Sequence, residues 1–313
     1  MLELARARLG PGVGREELVM KIRKLGKEMT MSAFLVLLLA AACFAGAPKK
    51  HVSIAVFPCT DAVMSFKKFH LLISYLQKET GLDVSLSVPG NYAEFERAVR
   101  NGDIDFALQD PHIYVRLAGL YDKGALVRAL TREGAATQSG VVIARKDSGI
   151  GKLADLKGKT VMFGPRLSAA RWLAAKSLFE ENGLDIDRDF KAYTNGRCCE
   201  DIAFSVYLGA VDAGVVCDHF LGEHSKKQKA LGLEAKQIAV VCKTRPVPTR
   251  IFAARQKLGD DIVARVNRAL LGLDKNRPAH AEILFRAELG GFKKSKDDDY
   301  ESMRRLLGQK MSE

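Results

Sequence analysis

Three short segments carry polar side chains where a predicted strand gives way to a helix. They are Pro58-Cys59-Thr60, Asn91-Tyr92 and Gly164–Ser168. In open α/β sheets, ligands bind beyond the carboxyl ends of the strands, where helix N-termini present unpaired N–H groups. These segments therefore predict a cleft that offers hydroxyl, thiol and N–H groups to a small anion.

Motifs for enzymatic chemistry are missing from the sequence. It contains no G-x-S-x-G, no H-E-x-x-H and no Walker A loop. His112, His219 and His224 are scattered, and Asp110 and Asp218 have no evident carboxylate partner, so surface or capping roles suffice for them. The sequence predicts a protein that is not an enzyme.

The cysteines indicate neither a zinc site nor a complete set of disulfides. Five cysteines remain after Cys43, and an odd number in an oxidising compartment leaves at least one thiol outside a disulfide. No CxxC motif and no Cys/His ligand spacing occurs. We expect no cofactor and no metal site of this classical kind.

Composition and charge are those of a soluble globular protein. The 313 residues are 47% hydrophobic and 27% charged, with a formal net charge of +12. A basic balance could serve nucleic acids, membranes or anionic ligands, but the Lys and Arg residues are dispersed without a long basic run. A solvated basic surface suffices, and we expect no nucleic-acid partner.

The N-terminal region is typical of an export signal. A basic segment, Met20–Lys27, precedes the apolar run Ala33–Ala42 and the small-residue stretch Cys43–Ala47. The apolar run is shorter than the ~20 residues that span a bilayer. Residues 1–19 could be an upstream extension of the reading frame, with 20–47 as the export segment.

Two cleavage sites remain open for that segment. Ala40–Cys43 resembles a bacterial lipobox and makes Cys43 a lipidation candidate, whereas a cut after Ala45 would release the protein. Either predicts a periplasmic location, with the membrane contacted only through a possible lipid anchor.

From His51 onward, β-branched runs alternate with amphipathic stretches. Val52–Phe57, Thr160–Phe163 and Val211–Val216 read as strands, and Ser168–Asn182 reads as a helix. This alternation predicts an α/β fold with two lobes, each a mostly parallel sheet flanked by helices, and a ligand cleft between them. The predicted limits are 50–139 for the first part of lobe 1, 140–244 for lobe 2, and 245–313 for the return to lobe 1 and the C-terminal helices.

The ordered motifs resemble the phosphate/phosphite/phosphonate-binding family of type II periplasmic binding proteins. The resemblance covers roughly residues 50–308. The segments that carry it are Ile54–Pro58, Asn91–Phe95, Gly102–Asp105, Val142–Asp147, Leu153–Thr160, Leu208–Gly214, Gly290–Phe292 and Asp299-Tyr300. It implies a two-lobed clamp that closes by a hinge motion around its ligand.

The resemblance also implies binding residues. The family's ligand-binding tyrosine matches Tyr92, and its serine at a helix N-terminus matches Ser168. A serine there can cap the helix and offer its hydroxyl to an oxyanion. Plain capping by Ser168 and plain packing by Tyr92 stay open as alternatives.

Departures from the family pattern affect the expected ligand. Ala169-Ala170 stands where further hydroxyls occur, Cys199 replaces a pocket histidine and Gln138 replaces a pocket tyrosine. Arg250 lies where aminophosphonate binders place an acidic group, and it would repel an ammonium. The arginines that could clamp an oxyanion, each also acceptable as a surface residue, are Arg166, Arg171, Arg197 and Arg250. The predicted ligand-binding set is Cys59, Thr60, Tyr92, Asp110, Gln138, Ser139, Arg166, Ser168, Arg171, Cys199 and Arg250.

Two functions compete at this point. One is the solute-binding component of an ABC transporter, a monomer that captures a small oxyanion other than an aminophosphonate and delivers it to a permease and ATPase. The other is a sensor in which Cys59 with Cys198 and Cys199 binds a thiophilic metalloid such as arsenite and signals to a membrane histidine kinase. Buried inert thiols or a structural disulfide are the alternatives to such a thiol site.

Overall fold

The computed structural model describes Met20 and residues 50–57, 62–223 and 237–311. The chain divides into two units, Met1–Lys49 and Lys50–Glu313. The predicted extension, the export segment beyond Met20, and four candidate residues lie outside the described residues. These four are Cys43, Cys59, Thr60 and His224.

Strands and helices alternate along the second unit. The strands are β1 (His51–Val56), β2 (Asp83–Ser87), β3 (Phe106–Gln109), β4 (Val127–Leu130), β5 (Thr137–Gln138), β6 (Gly140–Arg145), β7 (Thr160–Phe163), β8 (Ala192–Asn195), β9 (Ala213–Cys217), β10 (Ile238–Lys243), β11 (Val247–Pro248), β12 (Ile251–Ala254) and β13 (Gly291–Lys294). The helices are α1 (Ala62–Thr80), α2 (Tyr92–Asn101), α3 (Pro111–Leu117), α4 (Ala174–Glu181), α5 (Cys199–Tyr207), α6 (Asp218–Glu223), α7 (Asp260–Leu271), α8 (Pro278–Ala287) and α9 (Glu301–Met311). A π-helical turn, Ala169–Leu173, leads directly into α4.

The first sheet has the strand order β13-β4-β12-β3-β1-β2. Strand β1 is parallel to β2 and β3, whereas β12 is antiparallel to β3 and β4. Successive side chains enter different cores, as in a sheet covered on both faces. Ile54 packs in the core that includes α1, α7 and α8. Ala55 packs in the core that includes α2 and α3.

The second sheet has the strand order β10-β6-β9-β7-β8. Strand β7 is parallel to β8 and β9, and β6 is antiparallel to β9 and β10. Val142 packs with α4 on one face. Val141 packs with α5 on the other. Each sheet is therefore the middle layer of its own α/β/α lobe.

Two short segments connect the sheets. β5 lies between β4 and β6 along the chain, β11 lies between β10 and β12, and the two pair antiparallel. The chain thus crosses between the lobes at two adjacent places, which is the geometry of a hinge.

The predicted two-lobed α/β class is confirmed, but the sheets are mixed rather than mostly parallel. Strand β12 begins at the crossover, beside the carboxyl end of β3, and its first residue Ile251 pairs with Gln109. Strand β6 likewise begins at the crossover, and Gly140 pairs with Cys217 at the end of β9. A strand that starts at its neighbour's carboxyl end must run antiparallel to it. The predicted lobe limits stay predictions.

The C-terminal segment contacts both lobes. Tyr300 packs in a core of the first sheet, and Met303, at the start of α9, packs in the core of the second. Tyr114 Oη of α3 and Arg304 Nη2 of α9 each donate to Asp297 Oδ1 at 2.6 Å.

Among the described helices, none is both long and apolar enough to traverse a bilayer.

Candidate ligand-binding site

The carboxyl ends of β3, β7 and β9 meet where the lobes face each other. Asp110 follows β3, Gly164 follows β7 and Asp218 follows β9. This is the strand edge at which open α/β sheets bind ligands.

Asp110 links the two lobes by a hydrogen bond. Its Oδ1 accepts from His112 N at 2.9 Å, as the N-cap of α3, and from Ala169 N of the second lobe at 3.0 Å. Burial raises the pKa of this carboxyl to about 6, although both N–H groups and the charges of Arg171 and Arg250 act in the opposite direction. The half-buried Asp110 thus lies at the N-terminus of α3 and contacts the first residue of the π-helical turn.

Ser168 begins the helical segment of the second lobe. Its backbone is extended and its Oγ accepts from Arg171 N at 3.3 Å, which is the geometry of an N-cap. The side chain is buried, and Ser168 Oγ donates no hydrogen bond to another described residue. Capping uses only the acceptor capacity of the hydroxyl, so its hydrogen is available for an oxyanion.

Arg171 places a positive charge in the same region. The residue is only 5% exposed, and its side chain crosses Gly164, where an added Cβ would lie 2.5 Å from Arg171 Cβ. The charge of the guanidinium opposes the burial that raises the pKa of Asp110, and it adds to the Cys217 hydrogen bond that lowers the pKa of Cys199. A buried arginine whose charge acts on groups of both lobes is the natural counter-ion for an anion between them.

Cys199 has a thiol neighbour that the sequence did not indicate. Its Sγ accepts from Cys217 N at 3.3 Å, and both residues belong to one buried core. The hydrogen bond from the Cys217 thiol, and secondarily the charge of Arg171, lowers the pKa of Cys199. Burial instead raises the pKa of Cys198, which is the N-cap residue of α5.

The remaining candidates lie at the two crossovers, Gln138 and Ser139 at the first and Arg250 at the second. Gln138 lies on β5 opposite Val247 of β11. Ser139 N donates to Asp218 Oδ2 at 3.0 Å, and Asp218 N donates to Ser139 O at 2.9 Å, which ties the crossover to the end of β9. Arg250 is half-buried and acts on Asp110 and on His219, whose pKa is lowered mainly by burial.

Tyr92 lies in the first lobe, at the first position of α2. Asn91 caps this helix by accepting from Glu94 N at 3.0 Å. The Tyr92 ring lies edge-on to Phe57, with 6.2 Å between centroids, and the Arg116 guanidinium is 5.9 Å from its centroid. Burial raises the pKa of Tyr92. Tyr92 lies near the end of β1, where Phe57 N donates to Leu108 O.

Two of the predicted clamps are far more exposed than Arg171. Arg166 is exposed, with its guanidinium 4.8 Å from the centroid of the Trp172 ring, and Arg197 is exposed as well. Sequence reasoning missed Cys217 and the crossover residue Thr249, whose Oγ1 donates to Ala129 O at 2.6 Å. The signal for Cys217 was its place directly after the predicted strand Val211–Val216.

A family model covers most of the chain. Residues 54–300 match the family described as "ABC transporter, phosphonate, periplasmic substrate-binding protein". Members of this family are substrate-binding components of ABC transporters, not enzymes.

Individual relatives are more distant. The phosphate-import protein PhnD of Mycolicibacterium smegmatis is 26% identical, over 82% of this chain and 84% of its own length. The tetrathionate sensor histidine kinase TtrS of Salmonella typhimurium is 28% identical over 62% of this chain, but the match spans about a third of that kinase, 34% of its length.

A solved structure shares the fold. PhnD1 from Prochlorococcus marinus, in complex with methylphosphonate, superposes with a TM-score of 0.72 at 18% identity and covers 84% of this chain and 98% of its own. The two-lobed architecture of this neighbour is that of type II periplasmic binding proteins. Fold and family model agree, and the chain belongs to the family of periplasmic substrate-binding proteins of phosphonate ABC transporters.

Proposed function

We propose that the chain captures a small oxyanion of the phosphonate, phosphite or phosphate type between its lobes and delivers it to an ABC permease and its ATPase. The observation that carries the proposal is Arg171, a nearly fully buried guanidinium beside the capping serine Ser168. The guanidinium brings a positive charge and a fork of N–H donors, and both suit a tetrahedral oxyanion.

An aminophosphonate is not the proposed ligand. Arg250 is half-buried close enough to lower the pKa of Asp110, so its charge acts within the cleft. A ligand ammonium would meet the charges of both Arg171 and Arg250. The binding residues retained for the proposal are Tyr92, Asp110, Gln138, Ser139, Ser168, Arg171 and Arg250, with Cys59 and Thr60 as further candidates.

Isothermal titration of the full chain with methylphosphonate, phosphite, phosphate and aminoethylphosphonate tests the proposal. We expect binding of at least one of the first three, and Arg171→Gln to weaken it by about 10- to 100-fold through loss of charge-assisted hydrogen bonds. The matched control is Arg188→Gln in the same lobe, whose side chain is 72% exposed. Equal affinity in Arg171→Gln would contradict the assignment of the clamp.

A second candidate is the thiol-based sensor for a membrane histidine kinase. The observation that favours it is the contact of Cys199 Sγ with Cys217 N, together with the lowered pKa of Cys199. A thiolate beside a second thiol suits a thiophilic metalloid. In this proposal Cys217 joins Cys199 as a ligand, with Cys59 as the further candidate.

Titration with arsenite distinguishes the sensor from the transporter component. If the protein is a sensor, we expect it to bind arsenite and the Cys199→Ser variant to lose this binding. Cys242 lies on β10, and Cys242→Ser should leave arsenite binding unchanged. Binding of methylphosphonate without binding of arsenite would identify the transporter component. Alkylation and mass spectrometry provide the independent record of which thiols are free.

Export, anchoring and oligomeric state complete the proposal. We propose that residues 20–47 direct export, that Cys43 carries a lipid anchor, and that the mature protein works as a monomer without a cofactor. The lobe limits 50–139, 140–244 and 245–313 belong to the same proposal. Mass spectrometry of the mature N-terminus, with Cys43→Ala as the comparison, reads out lipidation, and light scattering reads out the monomer.

A further inference from the structure

Two thiols lie side by side at the carboxyl edge of the second sheet. Cys217 is the last residue of β9, and Cys199 is the first residue of α5. The Cys217 N–H donates to Cys199 Sγ at 3.3 Å, and the Cys217 thiol donates to the same sulfur. Both side chains belong to one buried core. A hydrogen bond between two thiols places their sulfur atoms next to each other, as a disulfide requires.

The buried guanidinium of Arg171 belongs to the same edge. The carbonyl oxygen of Ala170 packs on Gly140, where an added Cβ would lie 2.4 Å from it, and Gly140 pairs with Cys217 in the sheet. On its other side, the Arg171 side chain crosses Gly164, which follows β7. The π-helical turn therefore holds Arg171 beside the two thiols.

The surroundings of Cys199 favour its thiolate. The hydrogen bond from the Cys217 thiol and the charge of Arg171 lower the pKa of Cys199 to about 7, against the burial of the sulfur and the charge of Glu200. The N-terminus of α5 acts in the same direction as Arg171. The charged and titratable groups at this edge come from the π-helical turn, α5 and the end of β9, and they are Arg171, Arg197, Glu200, Asp201, Cys217, Asp218 and His219. At pH 8 the reduced protein therefore holds a thiolate beside a guanidinium.

This thiolate competes with the ligand for Arg171. The proposed function assigns the Arg171 guanidinium to the oxyanion, and a negative sulfur beside it neutralises part of the same positive charge. An incoming oxyanion therefore meets a negative charge that is already in place. A covalent bond at the sulfur removes that charge and leaves the arginine available to the ligand.

We propose that Cys199 and Cys217 are a modification site at which a small peroxide forms a disulfide, and that this disulfide raises the oxyanion affinity of the cleft. The inference rests on the proposed function and names a regulation of the same site. A peroxide is the oxidant because Cys199 and Cys217 are only 9% and 7% exposed, which excludes larger oxidants.

The chemistry of the pair balances with one peroxide. The Cys199 thiolate attacks a peroxide oxygen, the O–O bond breaks, and hydroxide leaves to give a sulfenic acid. The Cys217 sulfur then attacks the sulfenic sulfur, the S–O bond breaks, and the departing hydroxide takes the Cys217 proton as water. The first hydroxide takes the proton that ionisation of Cys199 released. Two thiols and one hydrogen peroxide thus yield one disulfide and two molecules of water.

Calorimetric titration of the full chain with methylphosphonate, phosphite and phosphate tests the inference. The protein is compared after reduction with dithiothreitol and after oxidation with one equivalent of hydrogen peroxide. We expect the dissociation constant of the reduced protein to exceed that of the oxidised protein by about fivefold or more at pH 8. At pH 6 the excess should fall below about twofold, because Cys199 is then mostly protonated. Each ratio compares one ligand at one pH, so ionisation of the ligand cancels.

Mass spectrometry identifies the bond independently of any ligand. Chymotrypsin cleaves after Tyr207, between the two cysteines, so a disulfide joins two peptides that otherwise separate. We expect peroxide to produce the Cys199–Cys217 linkage and dithiothreitol to remove it. A disulfide that joins other cysteines, or no disulfide, overturns the modification site.

Cys199→Ser removes the thiolate. At pH 8 it should bind the oxyanion as tightly as the oxidised wild type and lose the response to peroxide, whereas Cys242→Ser, on β10, is the matched control and should keep that response. Wild-type protein alone decides the question if Cys199→Ser does not fold, since equal affinities of the linked and reduced forms at pH 8 overturn the regulation and leave oxyanion binding intact. Binding of none of the three anions in either form would overturn the regulation and the proposed function together.

Discussion

Asp110 shows how one side chain can both cap a helix and contact the other lobe. Its pKa is raised from 3.8 to about 6 by burial, against the effect of two N–H donors and two arginines. Because the folded protein holds this proton more tightly than the unfolded chain, the free energy of unfolding falls as the pH rises from 3.8 through about 6. Above that pH range, the stabilisation from the Asp110 proton is fully lost and no longer changes with pH.

Replacing Asp110 with asparagine should remove this pH-dependent loss. We expect the free energy of unfolding of Asp110→Asn, relative to wild type, to rise by about 1–2 kcal/mol between pH 4 and pH 7, less than the full shift because the side chain is half-buried. Urea unfolding at several pH values measures it. Asp147→Asn should show no such rise, since Arg145 lowers the pKa of Asp147. A pH-independent difference for Asp110→Asn would contradict the raised pKa.

At the scale of elements, the turn between β7 and the π-helical segment positions the buried arginine. Gly164 N donates to Arg171 O at 3.2 Å, and Asn195 Nδ2 donates to Gly164 O at 2.7 Å. The glycine is required for space rather than for backbone conformation, because Arg171 packs where a Cβ would lie. Gly164 thus leaves the space that the Arg171 side chain occupies.

Gly164→Ala should therefore displace Arg171. The added Cβ would lie 2.5 Å from Arg171 Cβ, and we expect a loss of about 1–3 kcal/mol of stability from overpacking, with weaker oxyanion binding. Gly151→Ala is the control in the same lobe, since nothing lies within 4 Å of its added Cβ. Chemical denaturation and calorimetry measure the two effects. Wild-type behaviour of Gly164→Ala would show that Arg171 has an alternative position.

Sequence patterns predicted the elements that have strong local signals. The buried β-branched run of β1, the Thr160–Phe163 strand and the Ser168 cap are all found in the structure. Strands β4 and β12 were not predicted. Their existence depends on pairing with β3 and with each other.

The candidate site was predictable in kind but not in geometry. The segment Gly164–Ser168 at a strand end indicated Ser168, and Arg171 and Asp110 were in the predicted binding set. Nothing local could show that Asp110 crosses to Ala169 N. The pairing of Cys199 with Cys217 likewise joins positions on different elements, α5 and β9. Contacts between elements depend on the tertiary fold, which a single sequence does not reveal residue by residue.

At the scale of the whole described unit, the lobes are joined by more than their two crossover strands. Tyr300 and Met303 are three residues apart, yet they pack in cores of different sheets. Leu306 and Leu307 extend the contact of α9 with the second lobe. The C-terminal helix therefore bridges the hinge, and lobe movement must involve the segment between Tyr300 and Met303.

Met303→Ala tests this bridge. Met303 is fully buried, and its truncation should lower the free energy of unfolding by about 2–4 kcal/mol through lost burial and the resulting cavity. Met64→Ala is the matched control, because Met64 is 51% exposed and should change stability by less than about 0.5 kcal/mol. Urea unfolding measures both. Equal effects of the two substitutions would contradict the packing of α9 against the second lobe.

Trp172 is the only tryptophan of the chain, and it follows Arg171 directly. Its backbone N–H donates to Ser168 O at 3.2 Å, and its ring lies 5.2 Å from Phe163 and 4.8 Å from the Arg166 guanidinium, measured to ring centroids. An anion that repositions Ser168 or Arg171 must alter the surroundings of this indole. The protein therefore carries an intrinsic fluorophore at the proposed anion site, so capture and release can be timed by stopped-flow emission from unlabelled material.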